Sequence, residues 1–203
     1  MQYLYRMTHI DNLPHILKYG VTNKTSANSN PSYHPIGNSR IIGRRDATIV
    51  HTIDEESFNL GDYIPFYFYA RMPMLYNIQH GYNVEKIEAE DIVYLILDFK
   101  RIIQDLAPKF FFSDGHAVNP KTKFYGQAFI SKIEAIIDKE AVLSNDWGSD
   151  YVVRERKQAE FFISDDIPPH YIERIISYNE RSREKIKQMQ PQCRIMINPK
   201  AYY

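Results

Sequence analysis

Apolar and polar stretches alternate along the chain at short intervals. The strongest apolar run, DIVYLILDF at residues 91–99, predicts a central strand, because a continuous apolar run is typical of a strand buried on both faces. Further strands are predicted at residues 3–8, 63–69, 109–113, 158–164, 172–178 and 194–197. Helices are predicted at residues 11–20, 40–50, 74–80, 100–106 and 179–189, and residues 129–137 fit either element. Short strands mixed with helices are typical of an α+β fold.

Residues 22–39 interrupt this pattern. They are rich in Asn, Ser, Thr, Pro and Gly and hold few apolar side chains, which predicts a long loop. A loop of this length in a compact domain is usually functional or mobile. No repeat or low-complexity linker divides the chain, so we expect residues 1–203 to form a single domain.

Composition narrows the class of protein. The chain has 203 residues, of which 44% are hydrophobic and 25% charged, and this balance is typical of a globular protein. Its single cysteine excludes a disulfide framework and a cysteine-based zinc site. No apolar run approaches the roughly 20 residues of a membrane-spanning helix, and residues 1–7 do not resemble a secretory signal. We therefore expect no membrane association and a cytoplasmic protein.

The net charge of zero conceals an uneven distribution. Residues 1–53 hold six basic and two acidic residues. Residues 54–150 hold nine basic and sixteen acidic residues, and residues 151–203 hold ten basic and seven acidic residues. Two basic terminal segments that meet at one cleft would suit an anionic ligand. The alternative is that these differences are ordinary variation on a solvated surface.

Several familiar signatures are absent from the sequence. It contains no GxGxxG or GxxxxGK[ST] phosphate-binding loop, no GxSxG elbow and no HExxH motif. None of its seven histidines is spaced four residues from another, as a shared metal site on a helix would favour. We expect no metal site.

Glu160 is the strongest candidate for chemistry. It follows Gln158 by two residues at the start of a predicted strand, so both side chains are expected on one face. A glutamate on a strand beside basic residues suits glycosyl transfer, because it accepts a hydrogen bond from a ribose 2′-hydroxyl and stabilises an oxocarbenium-like transition state. Arg44, Arg45 and Arg154 are candidates to bind phosphates. The alternative is an exposed edge-strand glutamate in a surface salt bridge.

Five segments, in order over most of the chain, carry a family resemblance. They are residues 4–17, IGRR at 42–45, residues 62–76, FSDGH at 112–116 and RERKQAEF at 154–161. Together they resemble the DarT family of DNA ADP-ribosyltransferase toxins. The resemblance implies an ADP-ribosyltransferase-like split mixed β-sheet with an NAD cleft and flanking helices.

The resemblance also implies an activity. Members of the family transfer ADP-ribose from NAD+ to a base in single-stranded DNA, without a metal, and thymine is the base for the branch that this sequence resembles. They are toxins of bacterial toxin–antitoxin pairs. The implied partners are single-stranded DNA and a macrodomain antitoxin on a separate chain, which removes the modification.

The resemblance assigns roles residue by residue. The implied catalytic residues are Glu160, Arg45 and His116. The implied NAD-binding residues are Arg6, Thr8, His9, Asn12, Arg45 and Met74. The implied substrate-binding residues are Arg44, Arg154, Gln158 and His116. Gln158 and Glu160 also fit the Gln/Glu-x-Glu pattern of many transferases of this fold. Arg6 departs from the family, whose members often have His at that position.

Three alternatives remain open at this point. The same fold acts on RNA or protein in other transferases. A metal-dependent nuclease would use Asp98 and Lys100 with an upstream carboxylate such as Glu88, Glu90 or Asp91. A non-catalytic module would bind single strands without needing Glu160.

Overall fold

The structure is a computed structural model that describes residues 2–203. Its strands are β1 (Tyr3–His9), β2 (Ile49–His51), β3 (Ser57–Asn59), β4 (Ile64–Tyr67), β5 (Ile92–Asp98), β6 (Phe110–Ser113), β7 (Phe124–Tyr125), β8 (Glu160–Ile163), β9 (Ile172–Ser177) and β10 (Arg194–Ile197). Its α-helices are α1 (Leu13–Tyr19), α2 (Ser39–Asp46), α3 (Pro73–His80), α4 (Phe99–Leu106), α5 (Ile133–Ile136), α6 (Lys139–Leu143), α7 (Tyr151–Lys157) and α8 (Glu180–Gln188). This mixture confirms the α+β class.

Strand β5 lies at the centre of the molecule, as its apolar run predicts. Because side chains alternate along a strand, they enter two apolar clusters on opposite faces. Val93, Leu95 and Leu97 enter one cluster, and Ile92, Tyr94 and Ile96 enter the other. Each apolar side chain buried in this way contributes about 1.5–3 kcal/mol relative to an exposed one, so β5 anchors both cores.

Eight strands form one mixed sheet in the order β10-β9-β5-β1-β4-β8-β6-β7. Strands β9 and β10 are parallel, and the other neighbours are antiparallel. Between β1 and β4 only one residue pair is in register, Tyr5 with Tyr67. The sheet is therefore split into two four-stranded halves at this junction, as the resemblance implies.

The large sheet takes its strands from residues 3 to 197 of the chain. This supports the prediction that residues 1–203 form one domain. The assignment stays a prediction, and residue 1 lies outside the described residues. Within residues 2–203, no helix combines the length and apolar character needed to cross a membrane.

The segment before β8 differs from the prediction. Residues 151–157 form helix α7, because the Asp150 carboxylate caps it by accepting hydrogen bonds from two backbone amides of the first turn, at 2.7 and 3.3 Å. Gln158 is the residue that ends this helix, and the strand begins only at Glu160. The prediction that Gln158 and Glu160 share one face of a strand is therefore wrong.

Two other segments also differ from their predicted secondary structure. The predicted helix at residues 40–50 ends at Asp46, and the β-branched residues that follow enter β2, which pairs with β3. Residues 129–137, which fitted either element, belong to a 3-10 helix over Gln127–Lys132 and to α5.

Residues 22–38 form the predicted long loop, without a helix or strand. The loop is tied to the rest of the molecule at both ends. The Asn23 amide group donates to the carbonyl of Asp62 at 2.6 Å, and the backbone N–H of Asn23 donates to the carboxylate of Asp166 at 2.7 Å. Near its other end, the His34 backbone exchanges hydrogen bonds with the Asn12 side chain, both at 2.8 Å.

Lys157, at the end of α7, is a buried cation. Its side chain is about 1% exposed, and its ammonium group donates to the carbonyl of Val142 at 2.8 Å. Burial, and then the nearby charge of Arg71, lower the pKa of Lys157 to about 8. The folded state therefore holds this proton less tightly than the unfolded state.

The pKa of Lys157 makes the stability depend on pH. Between about pH 8 and pH 10.5 the unfolded chain keeps a proton that the folded chain has lost, so the free energy of unfolding rises with pH in this window. We expect wild type to gain about 2–3 kcal/mol across the window relative to Lys157→Met. Urea unfolding of the two proteins at a series of pH values measures this gain. Lys100→Met, at an exposed lysine of α4, is the control that keeps the wild-type slope. Equal slopes for wild type and Lys157→Met would contradict the assignment.

Candidate active site

A cavity of about 800 Å³ opens where the sheet splits. Arg6 lines it from the β1 side, and Pro65 and Tyr67 line it from the β4 side. The Arg6 guanidinium donates to the carbonyl of Pro65 at 2.8 Å and so bridges the two halves of the sheet. The volume falls in the range of small-molecule and cofactor sites, about 300–1,000 Å³.

The charged residues on the cavity wall come only from the two terminal segments. The cations are Arg6, Lys24, Arg45 and Arg154, and the acids are Asp46 and Glu155. Cations outnumber acids, as the uneven charge distribution of the sequence predicts for a cleft that binds an anion.

Glu160, at the start of β8, does not itself line the cavity but contacts two residues that do, Arg45 and Tyr67. It is directly opposite Tyr67 in the β4–β8 pairing, so the two side chains share one face of the sheet. Its side chain is fully buried, and β8 lies between two other strands. The alternative of an exposed edge-strand glutamate is therefore wrong.

Both carboxylate oxygens of Glu160 have partners. One forms an ion pair with the guanidinium of Arg45, and the other accepts a hydrogen bond from the backbone N–H of Ala117 at 3.1 Å. A buried carboxylate needs such partners, because an unpaired buried charge is strongly unfavourable. Burial, and then the negative charge of Glu160, raise the pKa of the Tyr67 phenol, which stays neutral beside the ion pair.

Ser113 joins the turn after β6 to the start of β8. Its hydroxyl accepts a hydrogen bond from the backbone N–H of Glu160 at 3.1 Å and donates to the carbonyl of Gly115 at 2.8 Å. Ser113 is fully buried. The hydroxyl thus fixes the turn that brings the Ala117 N–H to the carboxylate.

Arg45 reaches the site from the last turn of α2, a helix capped by the side chain of Asn38. Its side chain is 16% exposed, and its guanidinium lies 5.8 Å from the ring centre of Phe162. Burial has the largest single effect and lowers the pKa of Arg45, but the charge of Glu160, the interaction with Tyr67 and the hydrogen bond to Glu160 together raise it above its ordinary value, so the cation is retained. Its Nε atom is buried and has no hydrogen-bond partner among the described residues.

The neighbouring Arg44 is placed differently. It is exposed and does not line the cavity, and its carbonyl accepts a hydrogen bond from the Thr48 hydroxyl at 2.7 Å. Of the two adjacent arginines, Arg45 is the one that contacts Glu160. A substrate-binding role for Arg44 stays a prediction.

Other candidates from the sequence do meet at the cavity. Arg6, Met74, His116, Arg154 and Gln158 all line it. Gln158 reaches the wall from the end of α7, where its side-chain amide donates to the carbonyl of Arg154 at 3.1 Å. The structure therefore brings these residues together, although Gln158 does so from a helix and not from the strand.

Thr8, His9 and Asn12 do not line the cavity. The Asn12 amide group donates to the Thr8 hydroxyl at 3.0 Å, and both side chains are fully buried. The His9 ring stacks on the His34 ring with a centroid distance of 3.7 Å, and burial, then His34, lower the pKa of His9. These residues hold the 22–38 loop against β1, and direct contact with NAD stays a prediction for them.

Two potential metal sites do not coincide with the cavity. Among the described residues, His9, Asp11 and His34 bring ligand atoms within 4.8 Å of one another, but none of them lines the cavity. The carboxylates of the nuclease alternative, Asp91 and Asp98, flank opposite ends of β5, about 20 Å apart by the rise of a strand. They do not converge on one ion.

Three residues of the site were missed by sequence reasoning: Tyr67, Ser113 and Ala117. Tyr67 lies opposite Glu160 only because of the β4–β8 register, which no local pattern reveals. Ser113 belongs to the FSDGH segment that carried the resemblance, so its segment was identified but not its role.

Comparison with known proteins agrees with the fold. The family model "ssDNA thymidine ADP-ribosyltransferase, DarT" matches residues 5–203. A DNA ADP-ribosyl transferase of Thermus sp. (strain 2.9) is 34% identical over 185 residues, which cover 90% of this chain and 84% of the relative. A DNA ADP-ribosyl transferase of Escherichia coli O127:H6 is 31% identical over 189 residues, which cover 91% of this chain and 84% of the relative.

Solved structures of a relative superpose over the whole chain. Thermus sp. 2.9 DarT in complex with ADP-ribosylated ssDNA matches with a TM-score of 0.86 at 30% identity, over 100% of this chain and 96% of that one. The same protein in complex with NAD+ matches with a TM-score of 0.80 at 28% identity, over 100% of this chain and 98% of that one. The split sheet and the cavity at its junction thus occur in a chain whose whole length resembles these structures. This protein belongs to the DarT family of ssDNA thymidine ADP-ribosyltransferases.

Proposed function

We propose that this protein transfers ADP-ribose from NAD+ to thymine in single-stranded DNA and acts as the toxin of a toxin–antitoxin pair. The observation that carries the proposal is the ion pair between the buried Glu160 and Arg45, an arginine that lines a cavity of cofactor size. Family membership supports the same activity, since a relative has been solved with NAD+ and with ADP-ribosylated ssDNA.

The first step breaks the bond between the nicotinamide nitrogen and the C1′ of ribose. Nicotinamide leaves with the bonding electrons, and positive charge develops at C1′. Glu160 stabilises this charge, and its carboxylate accepts a hydrogen bond from the ribose 2′-hydroxyl. A carboxylate oxygen accepts more than one hydrogen bond, so the 2′-hydroxyl binds Glu160 beside the Arg45 guanidinium, which is then close to the target base.

The second step forms a bond between thymine N3 and C1′. Thymine N3 carries a proton at neutral pH, and this proton passes to Glu160 or His116 as the bond forms. The Arg45 cation polarises the adjacent carbonyl of thymine and stabilises the negative charge that develops on the ring. A single strand suits this reaction because its bases need little energy to unstack.

The remaining candidates bind and position the two substrates. Arg6 and Met74 contact NAD+ from the cavity wall, and Thr8, His9 and Asn12 act through the 22–38 loop that they hold. Arg44, Arg154, Gln158 and His116 contact the DNA.

A macrodomain antitoxin on a separate chain removes the modification in this proposal. A Thermosipho africanus fusion protein of a DNA ADP-ribosyl transferase and a DNA ADP-ribosyl glycohydrolase is 25% identical to this chain, which covers 41% of it. That arrangement supports a functional pair of transferase and hydrolase. We place this protein in the cytoplasm, where NAD+ and DNA are both accessible in a bacterium.

Loss of the Glu160 charge tests the proposed function. With labelled NAD+ and a thymine-containing single-stranded oligonucleotide, wild type should place label on the base. Glu160→Gln keeps the side-chain shape but removes the charge at C1′, so we expect the rate to fall about 100- to 1,000-fold. Asp165→Asn, at an exposed carboxylate just after β8, is the matched control and should keep the wild-type rate. Label found only on RNA or protein would reject DNA as the substrate.

A second experiment separates the two adjacent arginines. Arg45→Lys keeps a positive charge but loses the planar guanidinium that pairs with Glu160, and we expect the rate of base labelling to fall at least about tenfold. Arg40→Lys, at an exposed position of the same helix, is the control. If Arg44→Lys abolished labelling and Arg45→Lys did not, the assignment of Arg45 would be incorrect.

Ser113 is expected to act by positioning Glu160. Ser113→Ala removes the hydroxyl that accepts the Glu160 N–H, and we expect kcat to fall about tenfold while KM for NAD+ changes less than twofold. The buried N–H left without a partner should also cost about 1–3 kcal/mol of stability. Steady-state kinetics and thermal unfolding measure both effects. A large fall in Tm with an unchanged kcat would limit Ser113 to a role in stability.

A further inference from the structure

Two aromatic side chains lie on or next to the cavity wall. Tyr151, the first residue of α7, is 52% exposed. Trp147, in the loop between α6 and α7, is partly exposed, lines the cavity and packs edge-to-face against Tyr76 and Tyr203. The Arg154 guanidinium lies 5.3 Å from the centre of the Tyr151 ring and also lines the cavity. Tyr151 is thus an exposed aromatic ring in contact with a cation of the cavity wall.

Both rings are held by their polar atoms. The Trp147 indole N–H donates to the Tyr203 hydroxyl at 2.6 Å, and that hydroxyl in turn donates to the carbonyl of Arg71 at 2.5 Å. The Tyr151 hydroxyl accepts a hydrogen bond from the Asn119 amide group at 2.9 Å. Fixing a ring before a ligand arrives lowers the entropic cost of binding.

The position of the rings indicates which ligand they suit. Aromatic rings beside a cation are typical of sites that bind single-stranded nucleic acid, because bases stack on the rings and the cation contacts a phosphate. Tyr151 lies outside the cavity, so a dinucleotide enclosed in the cavity does not cover it. Trp147 and Arg154 line the cavity and Arg154 contacts Tyr151, so a polymer that extends from the cavity past Arg154 meets Tyr151.

We propose that Trp147, Tyr151 and Arg154 form a stacking platform for the bases that flank the target base of single-stranded DNA. The inference rests on the proposed function and adds the path of the strand. The target base enters the cavity toward Arg45 and Glu160, while its neighbours stack outside on the two rings. Arg154 contacts a phosphate that links the target nucleotide to one of these neighbours.

The sequence provides a direct probe, because Trp147 is its only tryptophan. Intrinsic tryptophan fluorescence therefore reports on this platform alone. We expect a short oligothymidylate to quench this fluorescence, both without NAD+ and with an unreactive NAD+ analogue. A saturating oligothymidylate that leaves the emission unchanged would overturn the proposal.

Variants then give the energetic contribution of each ring. Tyr151→Ala and Trp147→Ala should each raise the KM for oligonucleotide about 5- to 100-fold, the equivalent of one lost base stack, with the rise confined to that substrate. Tyr151→Phe and Trp147→Phe keep a ring and should restore most of the affinity. The matched control is Tyr3→Ala, because Tyr3 also lies under an arginine, Arg174 at 4.6 Å, but does not line the cavity or contact a residue of the platform.

The outcomes separate the platform from the proposed function. A rise in KM for NAD+ in place of oligonucleotide would assign the rings to the adenine of NAD+ and overturn the platform. Unchanged kinetics in both alanine variants would also overturn it, and would leave the exposed rings to a protein partner. If wild type labels no DNA, the proposed function fails, while the fluorescence titration still shows whether oligothymidylate binds at Trp147.

Discussion

The buried ion pair between Arg45 and Glu160 is the contact on which the rest of the site depends. A carboxylate with no exposed surface needs a counter-charge, and removing one partner of such a pair costs about 3–5 kcal/mol. The surrounding structure keeps the pair in place: the β4–β8 register sets a neutral tyrosine beside it, and the turn after β6 supplies a backbone N–H. The same low-dielectric surroundings strengthen the effect of both charges on a reacting sugar.

The partners of Glu160 also bear on the proposed function. Each oxygen has one partner, the guanidinium of Arg45 or the backbone N–H of Ala117, and each can accept a further hydrogen bond. In the proposed reaction the ribose 2′-hydroxyl therefore binds the carboxylate without displacing Arg45. The same arginine would then neutralise the carboxylate before NAD+ binds and stabilise the acceptor base afterwards.

Much of the fold follows from local patterns, and part of the site does not. The apolar run of β5 predicted its strand, because burial leaves a pattern that is local in sequence. The contact between Arg45 and Glu160 spans 115 positions and depends on the sheet register, so only the resemblance pointed to it. Gln158 was placed on a strand because the cap at Asp150 was not recognised. Thr8, His9 and Asn12 were identified as a group, but their location behind the 22–38 loop required the tertiary structure.

The junction at Tyr5 and Tyr67 has a mechanical consequence. The two halves are joined there by one registered pair and the Arg6–Pro65 hydrogen bond, while the strands within each half are joined by at least two registered pairs each. The cavity lies along the same line, with walls from both halves. A dinucleotide bound there would contact both halves and so add a link across the line where the sheet has the fewest of its own.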